Sequence, residues 1–378
     1  MRCPVGRYRR RRPHRSDLAR RARSFPRSGP RRIGRVSVER READQITDVP
    51  APEFGTLVGH DQARASLLSA LERNRLPSAI LLHGPRGIGK ATFAFDIARQ
   101  VLSRTSDESE ERISAQVAAL SHPNLFLLRR TTDPANSEKY YSAIRVDDVR
   151  AMRDSLHQTR GRAGYRLAIV DSVDDCNANS ANALLKTLEE PPADTMFIVL
   201  SHRPGGMLAT IRSRCQSFGL RPLADPDTAQ VISRIRPELA AQDVSRAVSF
   251  AAGRPRRGFE SLMLEEGDVL DALRTWLKDP SAHPTRAHLK IADGLAASKG
   301  AELGFAQDMI RDWLATEAEN AARAGPAARF RLASTNGLWE KANALIADAD
   351  IYNLDRRQTL VAVFDFLRDH VRRTTPVS

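Results

Sequence analysis

Residues 166–215 read RLAIVDSVDDCNANSANALLKTLEEPPADTMFIVLSHRPGGMLATIRSRC, and the fold is decided here. Residues 167–170 are a short apolar run with an acid, Asp171, at its end. That is the pattern of a buried parallel strand delivering a carboxylate to the carboxyl edge of a sheet, where open α/β folds place their ligands. A polar turn follows. Residues 180–190 then carry Ala183, Leu184, Leu185 and Leu188 at helical spacing, and Pro191 and Pro192 stop the helix. Residues 196–200 are a second apolar run with Ser201 at its end, and a helix-like segment leads to Ser213, Arg214 and Cys215. Strand, acid, helix, strand, polar residue, arginine is the layout of an ATP-handling site seen in two halves. The acid would face the chain's own nucleotide and the arginine a neighbour's.

Working upstream, residues 79–82 are another short apolar strand, followed by GPRGIGKAT at 84–92 and an apolar helix through Phe93, Ile97, Val101 and Leu102. A P-loop needs that setting, a strand before and a helix after. Gly84, Pro85, Arg86, Gly87, Ile88, Gly89, Lys90, Ala91 and Thr92 are therefore candidate nucleotide contacts. The glycines let backbone N–H groups curl around phosphate, the helix start adds its positive end, and Lys90 supplies a point charge. Two departures stand out. Ala91 occupies the place where a Ser or Thr would hold Mg²⁺. Thr92 lies one position on, and a rotation of ~100° per helical residue turns it away. The glutamate that would follow Asp171 and activate water is replaced by Ser172, too weak a base at neutral pH to help without a partner. Asp174 and Asp175 are expected past the sheet edge, as poor substitutes. These losses argue against ATP turnover by the chain itself and leave binding without hydrolysis open.

Composition narrows the classes. The chain has 378 residues, room for two or three domains, and 41% hydrophobic residues, enough for a folded core. Its net charge of +13 points to nucleic acid only at first sight. Residues 1–36 hold fourteen arginines and one acid, Asp17, an excess equal to that of the whole chain, so the remainder sums to zero. Three cysteines, Cys3, Cys176 and Cys215, make neither a disulfide framework nor a zinc set and suit a reducing, cytoplasmic setting. No run approaches the ~18 consecutive apolar residues of a membrane span.

Along the chain, residues 1–48 read as a disordered arginine-rich extension, or as translated sequence upstream of a true start. A tail binding DNA through counterion release and an organellar leader are the other readings. Residues 49–221 form the nucleotide-binding unit. Within it, a helical pattern runs through Leu67, Leu68 and Leu71, and another helix-like piece lies near residues 113–120. Residues 124–128 look like a strand, 131–142 like a loop, and 144–157 like a helix capped by Asp147 with Val149, Met152 and Leu156 inward. Arg145, Arg150, Arg153, Arg160, Arg162 and Arg166 read as a solvated mixed-charge face, with DNA phosphate contact as the rival reading. Residues 216–220 suit an edge strand. Residues 222–268 read as a small helical module, with helices in 225–253 and at 259–264. Residues 269–378 are helical throughout, near 285–297, 303–324, 327–347 and 354–372, amphipathic enough to bundle.

GPRGIGKAT, LAIVDSVDD, NSANALLKTLEEPP, MFIVLS and TIRSRCQ together resemble the clamp-loader branch of the AAA+ ATPases, and within it the δ′ family of bacterial DNA polymerase III. The resemblance runs from Phe54 to Asp369. It implies a RecA-like AAA+ module of P-loop α/β class, a helical lid, and an all-α collar that assembles with γ/τ and δ subunits into a pentameric ring. That ring would load the β sliding clamp onto primed DNA. In this family the Ser-Arg-Cys arginine, here Arg214, completes the ATP site of the adjacent γ/τ subunit. Ser201 matches the sensor-1 place, and Arg256 lies near the sensor-2 place, although Gly-Arg-Pro-Arg-Arg departs from the usual Gly-Ser. Little or no ATPase activity is implied for the chain itself, in step with Ala91 and Ser172. Many relatives carry a four-cysteine zinc module after the P-loop; no cysteine lies between Cys3 and Cys176, so zinc is not expected. Two other functions compete: an active γ/τ-type ATPase, and a free-standing DNA-binding P-loop protein acting through its basic terminus.

Overall fold

The computed structural model describes residues 45–374 apart from 47, 134–135, 159–162, 265–267, 299, 326–328 and 353. The arginine-rich extension at 1–36, Arg160, Arg162 and residues 375–378 lie outside the described residues.

Five strands form a parallel sheet: β1 (Ala79–His83), β2 (Leu125–Leu128), β5 (Arg166–Val170), β6 (Thr195–Ser201) and β7 (Gln216–Gly219), in the order β2-β5-β6-β1-β7. The apolar runs of the sequence become the central strands because both sheet faces are covered. Alternation divides them between two cores. Ile80 and Leu82 of β1 join the cluster built with α1 (Asp61–Glu72), α2 (Lys90–Thr105) and α3 (Glu110–Ala118). Ala79 and Leu81 join the opposite cluster, with α4 (Val146–His157), α5 (Ala178–Glu189) and α6 (Ala209–Arg214). Each fully buried Leu or Ile contributes about 1.5–3 kcal/mol. β7 is the edge strand and pairs with β1, so that Gly219 lies opposite His83.

Some readings change. Residues 131–142 are not a bare loop: β3 (Thr132–Asp133) and β4 (Asn136–Tyr140) pair as a short antiparallel hairpin. Its residues are polar and carry no apolar alternation to announce it. The cap of α4 is Arg145, with Asp147 and Asp148 inside the first turn, where carboxylates favour the helix dipole. Arg145, Arg150 and Arg153 do pair with neighbouring aspartates on the surface, at 2.7, 3.3 and 2.9 Å. Arg166, however, is buried, and its guanidinium donates to the Leu156, Gln158 and Ala193 carbonyls. Those include carbonyls left open at the end of α4, so its charge works inside the fold. α5 begins two residues before the apolar pattern does, because the Asn177 side chain accepts from the Asn179 and Ser180 amides at 3.0 Å each.

Beyond the sheet come α7 (Asp225–Ile235), α8 (Ala241–Ala251) and α9 (Pro255–Leu262). They share a core of Ile232, Ala247 and Phe259, which Ile46 enters from the segment before the sheet. α9 starts at Pro255, ahead of the expected 259, since proline suits the first helical position. Five further helices, α10 (Asp268–Lys278), α11 (Thr285–Ala297), α12 (Gly300–Arg323), α13 (Arg329–Tyr352) and α14 (Arg356–Thr374), bundle around a separate core. Trp276 is at its centre, 5.1 Å from the Phe364 ring. No strand occurs there among the described residues. No helix among the described residues is long and apolar enough to cross a membrane.

Candidate functional site

The GPRGIGKAT loop joins β1 to α2 at the carboxyl edge of the sheet. Two of its glycines are required by close approach. At Gly84 (φ 151°) a Cβ would lie 2.3 Å from the Leu220 carbonyl oxygen. At Gly87 (φ 87°) it would lie 2.7 Å from the Arg256 Cβ. The Arg256 N–H donates to the Gly87 carbonyl at 3.3 Å, so the start of α9 rests on the loop. Lys90 is buried, and its Nζ donates to the Gly84 and Pro85 carbonyls, both at 2.8 Å. Burial lowers its pKa to about 8, against the opposing pull of Asp171 and Asp174.

Asp171 stands at the end of β5, and its N–H donates to the Leu128 carbonyl at 2.8 Å. Desolvation pushes its carboxyl up to about 6, opposed by the nearby Arg129 and Lys90 charges. Arg129 and Arg130 leave the end of the neighbouring β2 and also line the cleft. Arg130 pairs with Asp175 at 3.2 Å. Asp175 thus lines the cleft after all, whereas Asp174 does not. Asp174 instead accepts from the Ser201 hydroxyl at 3.1 Å and from the His202 and Arg203 amides, fixing the end of β6. Ser201 is fully buried in that network and does not line the cleft. His202 does line it, and burial and the Lys90 charge lower its pKa to about 3, so it is neutral at neutral pH.

These groups surround a cleft of about 450 Å³. Arg86, Gly87, Ile88, Gly89, Lys90, Ala91, Thr92 and Asp171, all expected from the sequence, line it; Gly84 and Pro85 face Lys90 instead. Its far wall is apolar, with Ile46, Val58, Leu223, Ile235 and Phe259. An apolar wall for a base and a looped backbone for phosphates fit a nucleotide. Mg²⁺ fits less well. Ala91 has no oxygen to offer, and Thr92, although it borders the cleft, lies against Gly55. A Cβ on Gly55 would sit 2.9 Å from its Cγ2 and 3.2 Å from its Oγ1, so that side chain packs on the Gly55 backbone. The one well-placed carboxylate, Asp171, already faces Arg129 and Lys90. Among the described residues no group of three His, Cys, Asp or Glu could hold a metal ion.

Arg214, at the end of α6, is not part of this cleft. Its guanidinium is about one-third exposed (36%), pairs with Glu189 at 2.6 Å and donates to the Thr210 carbonyl at 3.1 Å. The sequence reading missed Arg129, Arg130 and Arg234 as cleft residues. The first two directly follow an apolar run, and strand ends of that kind face the ligand edge.

Residues 59–224, which hold the loop, Asp171 and Arg214, match the protein family described as "DNA polymerase III, delta subunit". DNA polymerase III subunit delta′ of Pseudomonas aeruginosa is 31% identical over 212 residues, 54% of this chain and 62% of that protein. The chain is thus similar to the δ′ subunits of bacterial clamp loaders. Subunit delta′ of Bacillus subtilis is 27% identical over 245 residues, 64% of this chain and 67% of that protein. DNA polymerase III subunit tau of Escherichia coli is 27% identical over 220 residues, 58% of this chain and 32% of that protein. The chain therefore spans less than two thirds of the length of its Pseudomonas relative, at 62%. The part around the GPRGIGKAT loop is a parallel-sheet α/β module, and the rest is helical among the described residues.

Proposed function

We propose that this chain is a non-hydrolysing subunit of a DNA polymerase III clamp loader. In that role it lends Arg214 to the ATP site of a neighbouring γ/τ-type subunit and helps load a β sliding clamp onto primed DNA. The observation that carries the reading is the separation of the two half-sites. The chain's own cleft has Ala91 and Ser172 where a metal hydroxyl and a water-activating acid are needed, while Arg214 stands outside it on the surface. A guanidinium on a developing phosphoryl charge is worth ~10³–10⁵ in rate. Leaving Glu189 costs little, because an exposed ion pair contributes only about 0–1 kcal/mol. In the same reading α7–α9 act as a lid over the nucleotide cleft, and α10–α14 as a collar joining γ/τ and δ subunits in a ring. Exposed apolar residues on the last helices, Phe330, Trp339, Ile351 and Tyr352, suit such a contact.

The test is Arg214→Ala in the assembled complex. ATP turnover at the site it serves should fall by ~10³-fold while assembly is retained. Unchanged turnover with intact assembly contradicts the role. One observation favours an active γ/τ-type ATPase instead: Asp175 lines the cleft. Asp175→Asn would abolish turnover by the chain alone in that case.

A further inference from the structure

We propose that the cleft binds a nucleoside triphosphate without a divalent cation, its arginines taking over the charge that the metal supplies in other P-loop sites. The proposal rests on the reading that this cleft takes nucleotide phosphate, and it concerns the chemical form of the ligand.

Three observations carry it. The first is the donor set. A metal bound beside a P-loop needs oxygen ligands, a hydroxyl from the residue after the lysine and a carboxylate at the neighbouring strand end. Ala91 lacks the hydroxyl, and Thr92 packs on Gly55. The second is the state of the carboxylate. Asp171 feels the Arg129 and Lys90 charges, which favour its ionised form as a metal would, against its desolvation and the Asp175 and Glu53 carboxylates. The third is the wall itself. Arg86, Lys90, Arg129, Arg130, Arg234 and Arg256 line the cleft, against the carboxylates of Asp171 and Asp175. Asp175 is paired with Arg130 at 3.2 Å. Glu260 holds Arg256 at 2.8 Å, and Glu53 stands 3.9 Å from Arg129; neither carboxylate lines the cleft.

A divalent cation entering this cleft would meet guanidinium groups and few oxygens. A polyphosphate entering it alone would meet planar donors suited to phosphate oxygens, plus the loop amides. Arginine and Mg²⁺ do the same electrostatic work on a polyphosphate, and here the arginine is covalently part of the site. The arginines come from separate elements: Arg86 from the loop, Arg129 and Arg130 from the end of β2, Arg234 from α7 and Arg256 from α9. A bound triphosphate would therefore tie the sheet to the α7–α9 cluster without a metal bridge.

The test is ATP binding to the full chain by titration calorimetry, once in excess Mg²⁺ and once in EDTA. The affinity in EDTA should equal that in Mg²⁺ to within about threefold. ATP binding that weakens by about tenfold or more in EDTA and returns with Mg²⁺ overturns the proposal, as does a lack of binding under both conditions. Arg86→Gln tests the arginine assignment separately. Arg86 is exposed, so the variant should keep the thermal midpoint of the parent while its affinity in EDTA drops by about tenfold. An unchanged affinity contradicts the assignment. None of these outcomes touches the role of Arg214, which is read at a partner's site by turnover of the complex.

Discussion

At the scale of single residues, the cleft is governed by what surrounds Lys90. Its ammonium is buried between two loop carbonyls, and desolvation brings its pKa down from the ordinary lysine value to about 8. Only the protonated form attracts phosphate. As pH rises through 8 the free protein loses that charge, and a bound polyphosphate can restore it only by taking up a proton. Nucleotide affinity should therefore hold steady below about pH 8 and then weaken, approaching a tenfold loss per pH unit. Calorimetric titration between about pH 7 and 9.5 at constant ionic strength measures this, and a flat profile contradicts it. Arg214 shows the opposite situation: a charge kept near the surface, on a partner that it can leave.

At the scale of elements, the Gly-Arg-Pro-Arg-Arg stretch divides its arginines between two neighbours. Arg256 lies against Gly87 of the phosphate loop. Arg254 and Arg257 both grip Asp312 of α12, and Arg257 also covers the Phe305 ring at 4.8 Å. One short segment thus connects the loop to the C-terminal bundle. Burial and the adjacent Arg254 charge lower the Arg257 pKa to about 9, opposed by Asp308 and Glu260. Asp312→Ala leaves two guanidinium groups without their carboxylate partner and should destabilise the chain by about 2–4 kcal/mol. Urea denaturation reads the loss as a lower midpoint; an unshifted midpoint contradicts the argument. The sequence announced this stretch only as a departure from a pattern. Chemistry that depends on adjacency in the chain was legible: the strand–loop–helix around Lys90, the acid ending β5, the proline stop after α5. Chemistry that depends on adjacency in space was not. Nothing in one dimension distinguishes the buried Arg166 from the solvated Arg153, or sends Arg254 and Arg256 to different partners. The polar hairpin of β3 and β4 escaped for a related reason, since it buries no apolar face to leave a period in the sequence.

At the scale of the whole molecule, the C-terminal helices have two separate duties. Their inner faces make a core, to which α14 alone contributes Leu360, Val363, Phe364 and Leu367. Removing α14 would strip side chains worth about 1.5–3 kcal/mol each and would test folding more than assembly. Their outer faces are the better probe. Phe330 and Ile351 on α13 are 70% and 68% exposed, so a Phe330→Asp, Ile351→Asp variant should change the stability of the isolated chain by no more than about 0.5 kcal/mol each. It should nevertheless lose co-elution with γ/τ and δ subunits. A variant that still co-elutes contradicts the collar assignment.

On the proposed function, this chain completes another subunit's ATP site and does not work its own. Steady-state ATP turnover tests it most directly, measured first with the purified chain alone and then with γ/τ and δ subunits, sliding clamp and primed DNA. The chain alone should show no turnover, and turnover in the mixture should fall when Arg214→Ala replaces the parent. Robust turnover by the chain alone, abolished by Lys90→Ala, would contradict the proposed function and make the chain a motor in its own right.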